Sequence, residues 1–185
     1  TWAVFITKPS DFGYSDKGYD LPDIRVIWHK LKVDHTEAGA DRWGQSKMFR
    51  DAAVSLKEAA REKRDSMADR IDKAVEIIGD SKDHYIVWYH LEGERHELKK
   101  ALPNSKHVYG SQDLEEREQM IIDFSEGEYQ ILGTKPEIAG SGCNFQRHCH
   151  KNIFLGINYS FNDFIQAVHR THRFQQQHPV DVHII

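Results

Sequence analysis

The sequence predicts an α/β fold, a mostly parallel sheet flanked by helices on both faces, and three observations predict it. From His84 onward, short apolar runs take turns with amphipathic stretches. The runs lack strict polar alternation, as expected of strands covered on both faces. Each amphipathic stretch lies between two runs, the order of repeated strand–helix–strand units. At 185 residues, 39% hydrophobic and 29% charged, the chain can bury a core and form one domain, or one domain with an appendage.

The first third is irregular and then helical. Trp2-Ala3-Val4-Phe5-Ile6 is strand-like and runs into the turn chemistry of Lys8-Pro9-Ser10-Asp11 and Gly13. After Leu21-Pro22, the alternation of Ile27, His29, Leu31 and Val33 predicts a strand. Residues 37–45, with Gly39 and Gly44, read as a loop. Phe49, Ala53, Leu56 and Ala60 fall at helical spacing and predict a helix over 47–61. Ser66 is positioned as the N-cap of a second helix carrying Ile71, Val75 and Ile78.

The alternating part follows. Tyr85-Ile86-Val87-Trp88-Tyr89 predicts a strand and residues 92–102 a helix. Trp88 and Tyr89 are expected in the core rather than as base-stacking platforms. Lys106-His107-Val108-Tyr109 is the next strand. Asp113 then caps a helix, with Glu116 three residues on and Leu114, Arg117, Met120, Ile121 and Phe124 following. Strands are predicted over 129–133 and 152–157, a helix from 161 to about 174, and a last strand over 180–185.

Composition narrows the function classes. A formal net charge of -4 is not that of a strongly basic nucleic-acid binder, so any such contact must come from a local patch. Two cysteines, Cys143 and Cys149, are too few for a disulfide framework and point to a reducing, intracellular compartment. No run is suited to span a bilayer and no signal-peptide pattern opens the chain, so no membrane partner is expected. Beginning at Thr1, the chain reads as a piece of a longer polypeptide. Cys143, His148, Cys149 and His150 are metal-ligating types, but their spacing fits no standard zinc finger, three consecutive residues do not readily share one tetrahedral centre, and no metal site is expected.

Two segments carry chemistry. In Gln166-Ala-Val-His169-Arg170-Thr-His172-Arg173-Phe-Gln175-Gln176, a continuous helix would set Gln166, Arg170 and Arg173 on one face. Phe161, Ile165 and Val168 would then pack on the sheet. Two guanidinium forks one turn apart suit the charge on a transferring γ-phosphoryl group. Taken alone, they equally suit a solvated helix end, where the dipole favours cations. In Ile131-Leu-Gly-Thr134-Lys135-Pro-Glu-Ile-Ala139-Gly140-Ser141-Gly142-Cys143-Asn144-Phe145-Gln146, a strand ends in a glycine-containing turn expected at the carboxyl edge of the sheet. Small residues after a strand are also common simply as turns.

Together these segments resemble motifs VI and V of superfamily 2, Snf-type helicases, in that family's order. His84 to Leu102 resembles motif IV and its helix; Val108-Tyr-Gly110-Ser111, Glu116-Arg117-Glu118 and Phe124-Ser-Glu-Gly127 resemble the approach to motif V. The resemblance implies a C-terminal RecA-like lobe over 65–185, of the P-loop-NTPase type. Residues 1–64, with Lys8-Pro-Ser-Asp11 and Gly18-Tyr-Asp-Leu-Pro22, are similar to the inter-lobe segment of phage and prophage helicases. It further implies Arg173 as the principal arginine finger and Arg170 as its companion, with Gln166 in support. Gly142 and Asn144 would face the nucleotide cleft, and Gly110, Ser111, Thr134 and Lys135 the nucleic-acid backbone. ATP and Mg²⁺ would bind only with an N-terminal RecA-like lobe, and DNA would be the track, in the cytoplasm of a bacterial or phage-infected cell.

Two departures stand out. Phe174-Gln175-Gln176 follows Arg173 where the family pattern has a glycine after Arg-x, and Pro136-Glu137 stand where many relatives have Ala-Gly. The chain also holds neither a Gly-x-x-x-x-Gly-Lys-Ser/Thr phosphate loop nor an Asp-Glu pair after a strand, so alone it should hydrolyse no ATP. A lobe of a DNA-dependent motor and a non-catalytic module for DNA or protein binding are the two expectations; intact arginines favour the first.

Overall fold

The structure, a computed structural model, describes residues 8–17, 20–31, 63–139, 143–157 and 160–185. The strands expected over 2–6, the loop over 37–45, the helix over 47–61 and Gly142 with its neighbours Gly140 and Ser141 lie outside the described residues. Among the described residues six strands form one sheet: β1 (Ile24–Trp28), β2 (His84–Trp88), β3 (Lys106–Val108), β4 (Ile131–Thr134), β5 (Cys149–Phe154) and β6 (Val180–Ile184). Their spatial order is β1-β6-β5-β2-β4-β3 and every pairing is parallel. The α/β expectation is therefore met, with an all-parallel sheet.

The helices are α1 (Met67–Ile78), α2 (Glu92–Ala101), α3 (Leu114–Ser125) and α4 (Phe161–Val168). Strand β2 shows why both faces must be covered. Tyr85, Val87 and Tyr89 join one core with Ile71, Ala74 and Ile78 of α1 and Leu98 of α2. Ile86 and Trp88 enter the opposite core with Phe124 of α3 and Ala167 and Val168 of α4. Side chains alternate across a strand, so a strand apolar at every position needs a layer on each side.

Local chemistry sets several ends. Asp113 caps α3 by accepting from the Glu115 N–H at 2.9 Å and, more weakly, from that of Glu116 at 3.5 Å. Gly133 is needed because a Cβ there would drive into the buried His107 ring on neighbouring β3. A bidentate Arg25–Asp181 pair, at 2.6 and 2.9 Å, ties β1 to β6. Between α1 and α2, Arg70 and Glu94 form a buried ion pair at 2.5 Å. Arg70 also donates to the Leu155 and Lys63 carbonyls, while Glu94 accepts from the N–H groups of His90 and Leu91. Every partner in that pair is spoken for, which is what lets two charges sit out of water.

Three expectations are corrected. Strand β1 occupies Ile24–Trp28, earlier than the alternation from Ile27 suggested, and pairs in register with β6 from Ile24↔Val180 to Trp28↔Ile184. Strand β5 begins at Cys149 rather than Asn152, its polar start His150-Lys151 being only half-buried. Helix α4 ends at Val168, six residues short of the expected Phe174. Its first residue, Phe161, is 70% exposed instead of packed on the sheet. Trp88 and Tyr89 are fully buried, as expected of core side chains.

Candidate functional site

The early end of α4 decides the geometry of the arginines. Thr171 takes the chain out of the helix: its hydroxyl donates to the Val168 carbonyl at 3.0 Å and accepts from the Asn152 amide of β5 at 2.8 Å. Asn152 in turn accepts from the Trp88 indole at 3.0 Å. This buried polar chain runs from the centre of the sheet to the loop after α4. Arg170 and Arg173 therefore stand on a loop, and the shared helix face expected for Gln166, Arg170 and Arg173 does not form. Gln166 remains on α4 and is exposed.

The two arginines still converge. Arg173 Nη1 donates to the Cys143 carbonyl at 3.3 Å. The Arg170 charge lies near enough to the Cys143 thiol to oppose the upward push that burial gives it. The Phe145 N–H donates to the Arg170 carbonyl at 3.2 Å. Exposed Asn144 sits between these two anchor points. Phe145 also accepts from the Cys149 N–H that opens β5, at 2.9 Å. Asn144 and both arginines thus gather at the amino end of β5, not at the carboxyl edge expected for the turn after β4. The connection leaves β4 at one end of the sheet and must return to the other to start a parallel strand. Arg170 Nε is buried without a hydrogen-bond partner among the described residues. A guanidinium is the donor type that binds an anionic phosphoryl group.

Gln176, quoted only as part of the motif's pattern, proves central. It is 6% exposed, and its Nε2 lies 3.1, 3.1 and 3.0 Å from the carbonyls of Gln146, Cys149 and Thr171. Its Oε1 accepts from the N–H groups of Gln177 and His178, each at 2.9 Å. Gln175 just before it has φ 73°, the left-handed region. That conformation is the physical counterpart of the missing glycine: the bend survives with a side chain in it. A polar cavity of about 420 Å³ opens beside this loop, lined by Asp20, Gln146, Arg147 and residues 175–178.

The second set lies at the opposite end of the sheet. Gly110 and Ser111 are exposed just after β3, and Thr134 and Lys135 close the adjoining β4, where Val108 pairs with Thr134. Thr134 is wholly buried, so its side chain offers no surface in this state. Lys135 Nζ is held by Glu92 Oε1 at 2.8 Å. Glu92 also accepts from Arg95 Nε at 2.9 Å, and Arg95 stacks 4.0 Å above the Tyr109 ring. Hydrogen bonds from Lys135 and then Arg95 hold the Glu92 carboxyl below its usual range. Lys135, Arg95 and exposed loop backbone make a small basic surface with one internal carboxylate.

Other candidates resolve simply. Cys149 is buried, and burial pushes its thiol up to about 12. Among the described residues no group of three or more His, Cys, Asp or Glu is arranged to hold a metal ion, and no helix is long and apolar enough to cross a membrane. His107 lies buried in β3 with Nε2 2.8 Å from Ser105 Oγ.

A parallel sheet covered by helices on both faces is the fold of a RecA-like lobe. The profile of the helicase conserved C-terminal domain matches residues 69–175, and the chain belongs to that family. Solved structures share the fold. The C-terminal part of the Fun30 ATPase domain superposes with a TM-score of 0.55 at 20% identity, covering 64% of this chain and 40% of that one. The C-terminal domain of the DEAD-box protein Dbp5 gives 0.53 at 20% identity, over 64% of this chain and 70% of that one. A DEAD box protein from the hyperthermophile Methanococcus jannaschii gives 0.53 at 16% identity, over 64% and 33%. The chain thus spans two fifths of the Fun30 chain and a third of the archaeal one. No curated protein matches it in sequence.

Proposed function

We propose that this lobe is the second motor lobe of an ATP-dependent, Snf-type DNA helicase or translocase, working in a reducing cytoplasm. The observation that carries the reading is the joining of the arginine loop to the segment around Asn144, through Arg173 on the Cys143 carbonyl and the Phe145 N–H on the Arg170 carbonyl. Arg173 acts as the finger on the γ-phosphoryl group and Arg170 accompanies it. Such donors stabilise the charge that builds up on the transferring group. Gly142 and Asn144 line the nucleotide side, and Gln166 supports them from α4. ATP and Mg²⁺ are held chiefly by an N-terminal RecA-like lobe with a phosphate loop and an Asp-Glu pair, neither of which this sequence contains. Lys135, with the Gly110-Ser111 backbone, contacts phosphates irrespective of base sequence, and Thr134 shapes the turn from beneath.

The test is ATPase activity of the two-lobe protein, with DNA, with RNA and with neither, for wild type and Arg173→Ala. Loss of a finger should lower turnover about 10³-fold. Stimulation by DNA above RNA supports the DNA assignment, and the reverse overturns it. Turnover unchanged in Arg173→Ala would reassign the lobe to a non-catalytic binding module.

A further inference from the structure

We propose that Gln176 is the positioning residue of the arginine loop: its buried amide fixes where Arg170 and Arg173 stand. The proposal rests on those arginines acting on the phosphoryl group. In a helix, the backbone ladder would place them; here α4 has ended at Val168 and something else must. Loop backbone groups that leave water need partners of their own. The Gln176 amide supplies them to four segments at once. It reaches the end of the β4–β5 connection at Gln146, the first residue of β5 at Cys149, the arginine loop at Thr171, and the entry to β6 at Gln177 and His178.

Its own N–H donates to the Arg173 carbonyl at 3.0 Å, closing the turn that begins at Arg173. The left-handed Gln175 is what swings the amide inward. Strained residues persist where their surroundings over-determine them, and the five contacts of the Gln176 side chain do so here. With donors and acceptor all engaged on backbone, Gln176 has nothing left for a ligand. It acts through the arginines. A leucine could fill the space but could hold none of the four segments together.

The experiment is a double-mutant cycle in the two-lobe protein, crossing Gln176→Leu with Arg173→Ala and measuring kcat and KM for ATP. Gln176→Leu alone should lower kcat about 10- to 100-fold, as a misplacement near 1 Å does, with KM little changed. On the Arg173→Ala background the same change should cost under about 3-fold, because residues acting as one unit are not additive. Hydrogen exchange gives a second readout: the Gln177 and His178 amides should lose protection in Gln176→Leu while those of β5 keep theirs. Gln176→Glu keeps the shape and the acceptor oxygen, loses the donors, and replaces the leucine variant if that fails to fold. Equal losses on both backgrounds, or wild-type kcat in the Gln176 variants with Arg173→Ala inactive, overturn the proposal alone. Wild-type turnover in Arg173→Ala overturns the finger assignment and this inference with it.

Discussion

Replacing Gln175 with glycine should stabilise the protein, and replacing it with alanine should not. Gln175 holds φ 73°, and among the described residues no other non-glycine residue has a positive φ. An L-residue in the left-handed region costs about 1–2 kcal/mol. Glycine removes that cost but carries extra freedom in the unfolded chain, worth about 0.5–1 kcal/mol. The net expectation is a gain of about 0.5 kcal/mol for Gln175→Gly. Gln175→Ala keeps the strained backbone, and because the side chain is exposed its truncation forfeits little packing. The two variants should therefore differ by about 0.5 kcal/mol, or about 1–2 °C in Tm for a chain of this length. Urea unfolding with an unchanged m-value is the assay. An alanine variant as stable as the glycine variant would refute the argument, since strain at this residue would then contribute nothing.

Three further outcomes are expected. Arg70→Met strands the Glu94 carboxylate, 0% exposed, and should cost about 3–5 kcal/mol in urea unfolding, against little loss for Lys100→Met in an exposed pair. His107 is held at about 4 by burial, below its ordinary 6.5, so the unfolded chain binds the proton first. Its stabilising contribution is full above pH 6.5 and is lost as pH falls toward 4, in all about 3 kcal/mol; His107→Leu should flatten that part of the stability–pH curve. Lys135→Ala should weaken nucleic-acid binding about equally across sequences and lower the salt slope by about 1, whereas Glu92→Gln, which releases Lys135, should tighten binding.

The sheet was legible because its strands are apolar runs too short to be helices and its helices carry their own end signals, as at Asp113. What could not be read was anything decided across the fold. No stop signal such as glycine or proline stands between Phe161 and Phe174, yet the helix ends at Val168, and just beyond it Thr171 bonds to Asn152, distant in sequence. The early end leaves the arginines on a loop and not on a helix face. The arginines stand out in the sequence by residue type and spacing. Gln176 was visible only as a letter in a pattern, since its importance lies in carbonyls 146, 149 and 171 that carry no side-chain signature. The placing of Asn144 at the amino end of β5 follows from parallel pairing, which a linear reading of the turn after β4 did not apply. The polar start of β5 hid its first residues, because His150 and Lys151 read as loop.

The two cysteines have a practical consequence. Cys143 and Cys149 are 8% and 1% exposed, and burial raises the pKa of both thiols. The thiolate is the species that alkylates, so neither should react with maleimide at neutral pH while the fold is intact. A single cysteine introduced at a solvent-facing position such as Phe161 would then take a fluorophore selectively, with both native cysteines left in place.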